Sequence, residues 1–175
     1  MNRKYKLGMV VGRFQPFHHG HYSIISEALC QCDRVIVLIG SCGHEGTLEN
    51  PFRYDFRKDL ISATFNNERL SFAPLVHIGV GDSPYWGNYL METAFFMMGR
   101  YPEAYFTGNE PDRSHWFENY NIEQIVVNRQ DKPISATQIR KKMMEKDNSW
   151  YKDVPYGLNN IEKVERLFNR ILDKQ

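Results

Sequence analysis

Residues 12–21 read GRFQPFHHGH and follow directly on the apolar run LGMVV at 7–11. A short apolar run that ends in glycine and gives way to a polar turn reads as a buried strand meeting a loop. Gly20 and His21 then lead into residues 24–29, where Ile24, Ile25, Ala28 and Leu29 recur at helical spacing. The stretch therefore reads as strand, turn, helix. The free amides of the helix start face the turn, and helix N-termini attract anions because unpaired N–H groups and the macrodipole both favour negative charge. Gly12 and Gly20 let a phosphate approach the backbone. His18 and His21 add two donors, and a histidine beside phosphates gains a proton, so both are candidates to follow charge that develops in a reaction. His19 reads as a solvated loop residue. A zinc site has no carboxylate or cysteine at suitable spacing to complete it.

The rest of the chain repeats the alternation. Residues 34–39, 75–79, 104–106 and 122–127 read as further short strands. Helical patterns occupy about 52–65, a segment carrying Tyr89, Leu90, Thr93, Ala94 and Met97, and the tail 157–172. Such alternation predicts an α/β fold: a parallel sheet of about five strands, helices on both faces, a C-terminal helix, and ligands at the carboxyl ends of the strands.

Composition narrows the function. The chain has 175 residues, with 22 basic and 21 acidic side chains and a formal charge of +1. That balance excludes the strong basic field of a protein tracking a long nucleic acid, while leaving room for a small anionic ligand. No stretch approaches the ~20 apolar residues of a membrane span, and the start lacks a signal sequence, so a cytoplasmic protein is expected. Cys30, Cys32 and Cys42 are odd in number and follow no metal-binding spacing, which reads as reduced thiols, with Cys42 close to the candidate loop.

The long form of the opening motif, Gly12-Arg13-Phe14-Gln15-Pro16-Phe17-His18-His19-Gly20-His21, resembles the signature of the His-x-Gly-His nucleotidyltransferases, and in particular of archaeal-type nicotinamide mononucleotide adenylyltransferases. Far downstream, Ile134-Ser135-Ala136-Thr137-Gln138-Ile139-Arg140 is similar to the family's second signature, Ile-Ser-x-Thr-x-Ile-Arg. In physical terms Ser135 or Thr137 caps a helix through Met143, while the helix start and Arg140 suit the β- and γ-phosphates of a nucleotide. Gly40-Ser41, Thr47 to Phe52 with Asn50, and Arg57 resemble the family's holder of the mononucleotide phosphate, with Arg57 as the clamp. Thr107-Gly108-Asn109 and Arg113 look like its later ligand loop, and Trp150 with Val154-Pro155 matches its tail.

The resemblance implies a Rossmann-like nucleotidyltransferase that joins ATP to nicotinamide mononucleotide, giving NAD and pyrophosphate, with Mg²⁺ carried in on the ATP. It implies that His18, His21 and Arg140 do the catalytic work. Gly12, Arg13, Phe14, Gly20, Ser135 and Thr137 join Arg140 at ATP. Asn50, Arg57, Asp82, Trp86, Asn88, Tyr89, Thr107, Gly108 and Asn109 hold the mononucleotide. No Gly-led acidic Nudix pattern appears, so residues 1–175 are expected to form one nucleotidyltransferase domain. Whether it forms a homo-oligomer is left open.

Departures concentrate at the acceptor. Phe56 stands where the family has an acidic residue before the arginine. The family's Asp-x-x-aromatic-Asn-x-x-Trp becomes Asp82-Ser83-Pro84-Tyr85-Trp86-Gly87-Asn88-Tyr89, with Trp86 at the asparagine position and Tyr89 at the tryptophan position. Either a ring stacks on the base with Asn88 supplying the amide contact, Trp86 beside a backbone left open by Gly87 or else Tyr89, or the pocket takes another phosphorylated acceptor. A pantetheine, flavin or sugar-alcohol phosphate transferase thus stays open, as does a non-catalytic nucleotide sensor.

Overall fold

The computed structural model describes residues 3–108, 112–128 and 134–174. Its order is β1 (Tyr5–Gly12), α1 (His19–Gln31), β2 (Cys32–Cys42), α2 (Tyr54–Phe65), β3 (Leu70–Val76), α3 (Pro84–Met98), β4 (Ala104–Thr107), a 3-10 turn (Ser114–Phe117), β5 (Glu123–Val126), α4 (Ala136–Met144), a second 3-10 turn (Asn148–Asp153) and α5 (Leu158–Leu172). All strand pairs are parallel, in the order β3-β2-β1-β4-β5.

The period of two along each strand divides the apolar residues between two cores. Val35, Val37 and Ile39 of β2, with Ala104 and Phe106 of β4, face a core closed by α1, α2, α4 and α5. Ile36 and Leu38 of β2, Leu7 and Met9 of β1, and Tyr105 of β4 face the other, closed by Leu90, Met91 and Ala94 of α3. The chain moves outward from β1 to β3 over one face and returns to β4 over the opposite face, as a constant crossover hand requires. The sheet order therefore reverses between β1 and β4, and a crevice opens at their carboxyl ends.

One strand differs from expectation. The segment expected at 75–79 lies earlier, at Leu70–Val76. Pro74 argues against a strand in sequence, but β3 pairs only with β2 and is a sheet edge, where proline is tolerated. Beyond it, Gly79 and Gly81 take φ of +71° and +64°, which ends extended pairing.

Candidate active site

At the reversal point lies a cavity of about 520 Å³, lined from the ends of β1, β2, β3 and β4 and from the starts of α1, α3 and α4. Arg13, Arg113 and Arg140 reach it, as do His18, His21 and His77, and among the described residues no carboxylate lines it. Helix starts and guanidinium groups thus face one hollow, a setting for a polyanion.

The loop after β1 is held tightly. Phe14 is buried with φ of +53°, and Ser41, across the cavity at the end of β2, has φ of +55°. Both are uncommon for residues with a Cβ, and such backbone outliers gather at functional sites. Gly12 is needed because a Cβ there would come within 2.9 Å of the Phe14 ring. Gln15, also buried, copies a strand partner: its Nε2 donates to Phe52 O and its Oε1 accepts from Phe52 N, both at 2.9 Å.

His18 caps α1 through its ring, with Nδ1 accepting the Gly20 N–H at 3.1 Å. A backbone N–H only donates, so Nδ1 carries no proton and the neutral ring bears its hydrogen on Nε2. Protonating Nδ1 would break the cap, which narrows the expectation that both histidines become cationic: His18 serves as an Nε2 donor. His21 stacks on His18 with ring centroids 3.7 Å apart and meets Phe14 at 4.7 Å. His19 is exposed, as expected.

Ser135 rather than Thr137 caps α4, in a reciprocal capping box with Gln138. Ser135, Ala136 and Thr137 line the cavity. Arg140 is largely buried. Its Nη1 donates to Gln15 O at 2.6 Å and its Nη2 lies 3.3 Å from Thr137 Oγ1. Burial first, and then Arg13 nearby, push its pKa down.

Arg57 departs from its expected place as a clamp. Its fully buried guanidinium is absent from the cavity wall: Nη1 donates to Arg13 O at 2.7 Å and Gly40 O at 2.6 Å, while Nη2 lies 3.8 Å from Cys42 Sγ and 3.7 Å from Glu45. It braces the ends of β1 and β2 from behind, because the two strands bring both carbonyls within one fork. Cys42 is buried, and burial pushes its thiol pKa up, away from the nucleophilic thiolate. Asn50 also lies off the cavity, in a turn where its backbone N–H meets Thr47 Oγ1 and its carbonyl takes Gly46 N–H.

Of the acceptor candidates, Trp86, Thr107 and Gly108 line the cavity; Asp82, Asn88 and Tyr89 do not, and Asn109 lies outside the described residues. Tyr89 instead accepts the Val76 N–H through its hydroxyl at 3.2 Å, supporting the end of β3. Asp82 is occupied by Trp116 Nε1, Arg113 and His115, the last at 2.9 Å, and its pKa is lowered, chiefly by the Trp116 hydrogen bond. Gly87 is not open: a Cβ there would fall 1.6 Å from Trp116 O.

Sequence reasoning missed Trp116 and His77, which no motif contains, although both line the cavity. An indole three residues past Arg113, in a polar loop, was the available signal for Trp116. Among the described residues no group of three or more His, Cys, Asp or Glu is placed to hold a metal ion, and no helix is long and apolar enough to cross a membrane.

A crevice at the reversal point, walled by the starts of three helices and by guanidinium groups, fits a nucleotidyltransferase. Residues 9–142 match the cytidylyltransferase-like family, and the chain belongs to it. Within that family it is 34% identical over 177 residues to the nicotinamide-nucleotide adenylyltransferase of Thermoplasma acidophilum, covering 95% of this chain and 94% of that protein. It is 30% identical to the protein of the same name from Methanococcus maripaludis strain S2, with 95% and 98% covered. The fold also matches a bifunctional NMN adenylyltransferase/ADP ribose pyrophosphatase from Francisella tularensis, crystallised with AMP and a manganese ion, at a TM-score of 0.79 and 23% identity. That match covers 97% of this chain, which spans about half of that protein's length.

Proposed function

We propose that the protein transfers the adenylyl group of ATP to nicotinamide mononucleotide, releasing pyrophosphate and forming NAD. The observation that carries the reading is the cavity at the sheet reversal, lined by no carboxylate among the described residues, where the starts of α1 and α4 meet Arg13, Arg140, His18 and His21. The curated relatives of this name, matched over nearly their whole length, support it.

In the reaction an oxygen of the mononucleotide phosphate attacks the α-phosphorus of ATP in line. The new P–O bond forms as the bond to the β-phosphate oxygen breaks, and that electron pair leaves on pyrophosphate. The protein positions the two phosphates and stabilises the added charge, where catalysis of such transfers largely resides. His18 Nε2–H and His21 serve the α/β-phosphate region. Arg13, Arg140 and the amides at the start of α4 serve the triphosphate, with Gly12, Phe14, Gly20, Ser135 and Thr137 shaping its bed. Trp86, Thr107 and Gly108 border the acceptor. Mg²⁺ arriving with the nucleotide would supply further charge neutralisation at the triphosphate, beside Arg13 and Arg140; among the described residues no carboxylate lines the cavity to hold it apart from the nucleotide.

The test is direct. Purified protein is mixed with Mg-ATP and a panel of phosphorylated acceptors, and products are identified by mass. NAD and pyrophosphate in equal amounts are expected. Transfer to a pantetheine, flavin or sugar-alcohol phosphate in preference to the mononucleotide would overturn the choice of acceptor, and binding without pyrophosphate release would leave a sensor.

A further inference from the structure

A second hollow, of about 640 Å³, opens between the start of α2 and the end of α5 and shares no residue with the catalytic cavity. Phe52 and Phe56 form one apolar wall, their rings tilted at 44° with centroids 5.6 Å apart, and Leu167 and Ile171 of α5 also line the hollow. Arg53, Arg170 and Lys174 border it, and none of the three is in an ion pair among the described residues. Two carboxylates border it as well. Glu45 is already engaged, accepting the Gly43 N–H at 2.9 Å and facing Arg57 Nη2 at 3.7 Å, and Asp55 stands in the first turn of α2. No side chain caps α2 at Arg53, so the first amides of that helix are open to an acceptor. Cations are thus in excess beside an aromatic wall.

Two links join this groove to the catalytic cavity. Phe52 gives its backbone N–H and carbonyl to the Gln15 side chain, both at 2.9 Å, and Gln15 O in turn holds Arg140. Glu45 pairs with the same Arg57 whose Nη1 holds Arg13 O and Gly40 O. A displacement of Phe52 or Glu45 therefore reaches the loop that carries Arg13 and Gln15.

We propose that the groove is a second ligand site, for a small molecule with a flat apolar body and a negative charge, and that its occupancy alters the binding of ATP in the catalytic cavity. The aromatic wall takes the body, and the cations take the charge, a guanidinium holding a carboxylate or sulfonate through its planar fork. A neutral ring forgoes the charged contacts, and a compact inorganic anion forgoes the wall. Two distinct sites joined by shared contacts acquire a coupling free energy, and the ligand acts as an effector rather than a substrate. The coupling to ATP rests on the adenylyltransferase reading, whereas binding in the groove does not.

The probe is 8-anilinonaphthalene-1-sulfonate, an aromatic anion, titrated by fluorescence into the native chain at several Mg-ATP concentrations, with the neutral N-phenyl-1-naphthylamine titrated in parallel. One saturable site is expected under saturating Mg-ATP, binding the anion about tenfold more tightly than the neutral ring, the scale of one charge-assisted contact. Arg53→Glu with Arg170→Glu should weaken the anion by about tenfold while leaving the neutral ring, the melting temperature and turnover near native. Calorimetry reads the coupling: saturating probe should shift the Kd for Mg-ATP by about fivefold or more in the native chain and not in the double variant. An affinity unchanged in the double variant, or equal for the two probes, overturns the site. So does a probe affinity that falls without limit as Mg-ATP rises, which would place the probe in the catalytic cavity. An ATP Kd that the bound probe does not move overturns the coupling. A native chain that makes no NAD would fell the adenylyltransferase reading, and the probe titrations would still decide the groove.

Discussion

Arg140 Nη1 donates to the backbone oxygen of Gln15 across 2.6 Å, so the second signature is bolted to the loop of the first. Through Gln15 the same loop is paired with Phe52. Two side-chain-to-backbone links thus tie α4, the loop after β1 and Phe52 in series.

Removing Arg140 should act on both counts. Arg140→Ala is expected to raise the KM for ATP more than that for the mononucleotide. Arg140→Lys should recover only part, because an ammonium lacks the planar fork that can hold Gln15 O and a phosphate oxygen together. Equal losses for both substrates would move Arg140 away from the triphosphate.

His18 has two separable duties. His18→Ala should lower kcat by about 10²–10³, the scale of losing one transition-state donor. It should also cost about 0.5–2 kcal/mol of stability for the lost cap. His18→Asn restores an acceptor at the cap, so urea titration should return near the native midpoint while kcat stays low. Recovery of both would make the cap the whole role of the residue.

For Arg57 the expected loss is in stability. Arg57→Ala strips the donor from two carbonyls at the ends of β1 and β2, at about 1–3 kcal/mol for each left buried and unpaired. Chemical denaturation reads this directly. A variant of native stability whose only defect is a raised mononucleotide KM would return Arg57 to the acceptor phosphate.

Trp86 and Tyr89 separate cleanly. Trp86→Ala should raise the mononucleotide KM by roughly ten- to a hundredfold with little change for ATP. Tyr89→Phe, which deletes the acceptor of the Val76 N–H, should shift the melting temperature slightly and leave both KM values alone. A folded Trp86→Ala protein with unaltered mononucleotide kinetics, together with a raised mononucleotide KM in Tyr89→Ala, would put the ring at Tyr89.

The stretch from Gly12 to His21 was legible because its structure is local: strand end, turn, cap and helix follow in order, and only neighbours a few residues away decide them. The parallel sheet was legible from alternation. What escaped was decided across the fold. A helical arginine in sequence does not announce that two strand ends will place the Arg13 and Gly40 carbonyls beside it. Gly87 looked like open backbone because the Trp116 carbonyl that fills the space comes from a later element. Asp82 kept its family position, but the three donors occupying it belong to the turn after β4. The β3 strand, expected at 75–79, runs instead over Leu70–Val76, where its place at the sheet edge accommodates Pro74.

Arg13 and Arg140 share a wall that no carboxylate lines among the described residues, and Arg13 adds to burial in lowering the Arg140 pKa. An empty cavity of this kind is a like-charge cluster awaiting its counter-ion, and the nucleotide is that counter-ion. Conformational stability then becomes a function of nucleotide concentration through mass action, and of ionic strength through screening.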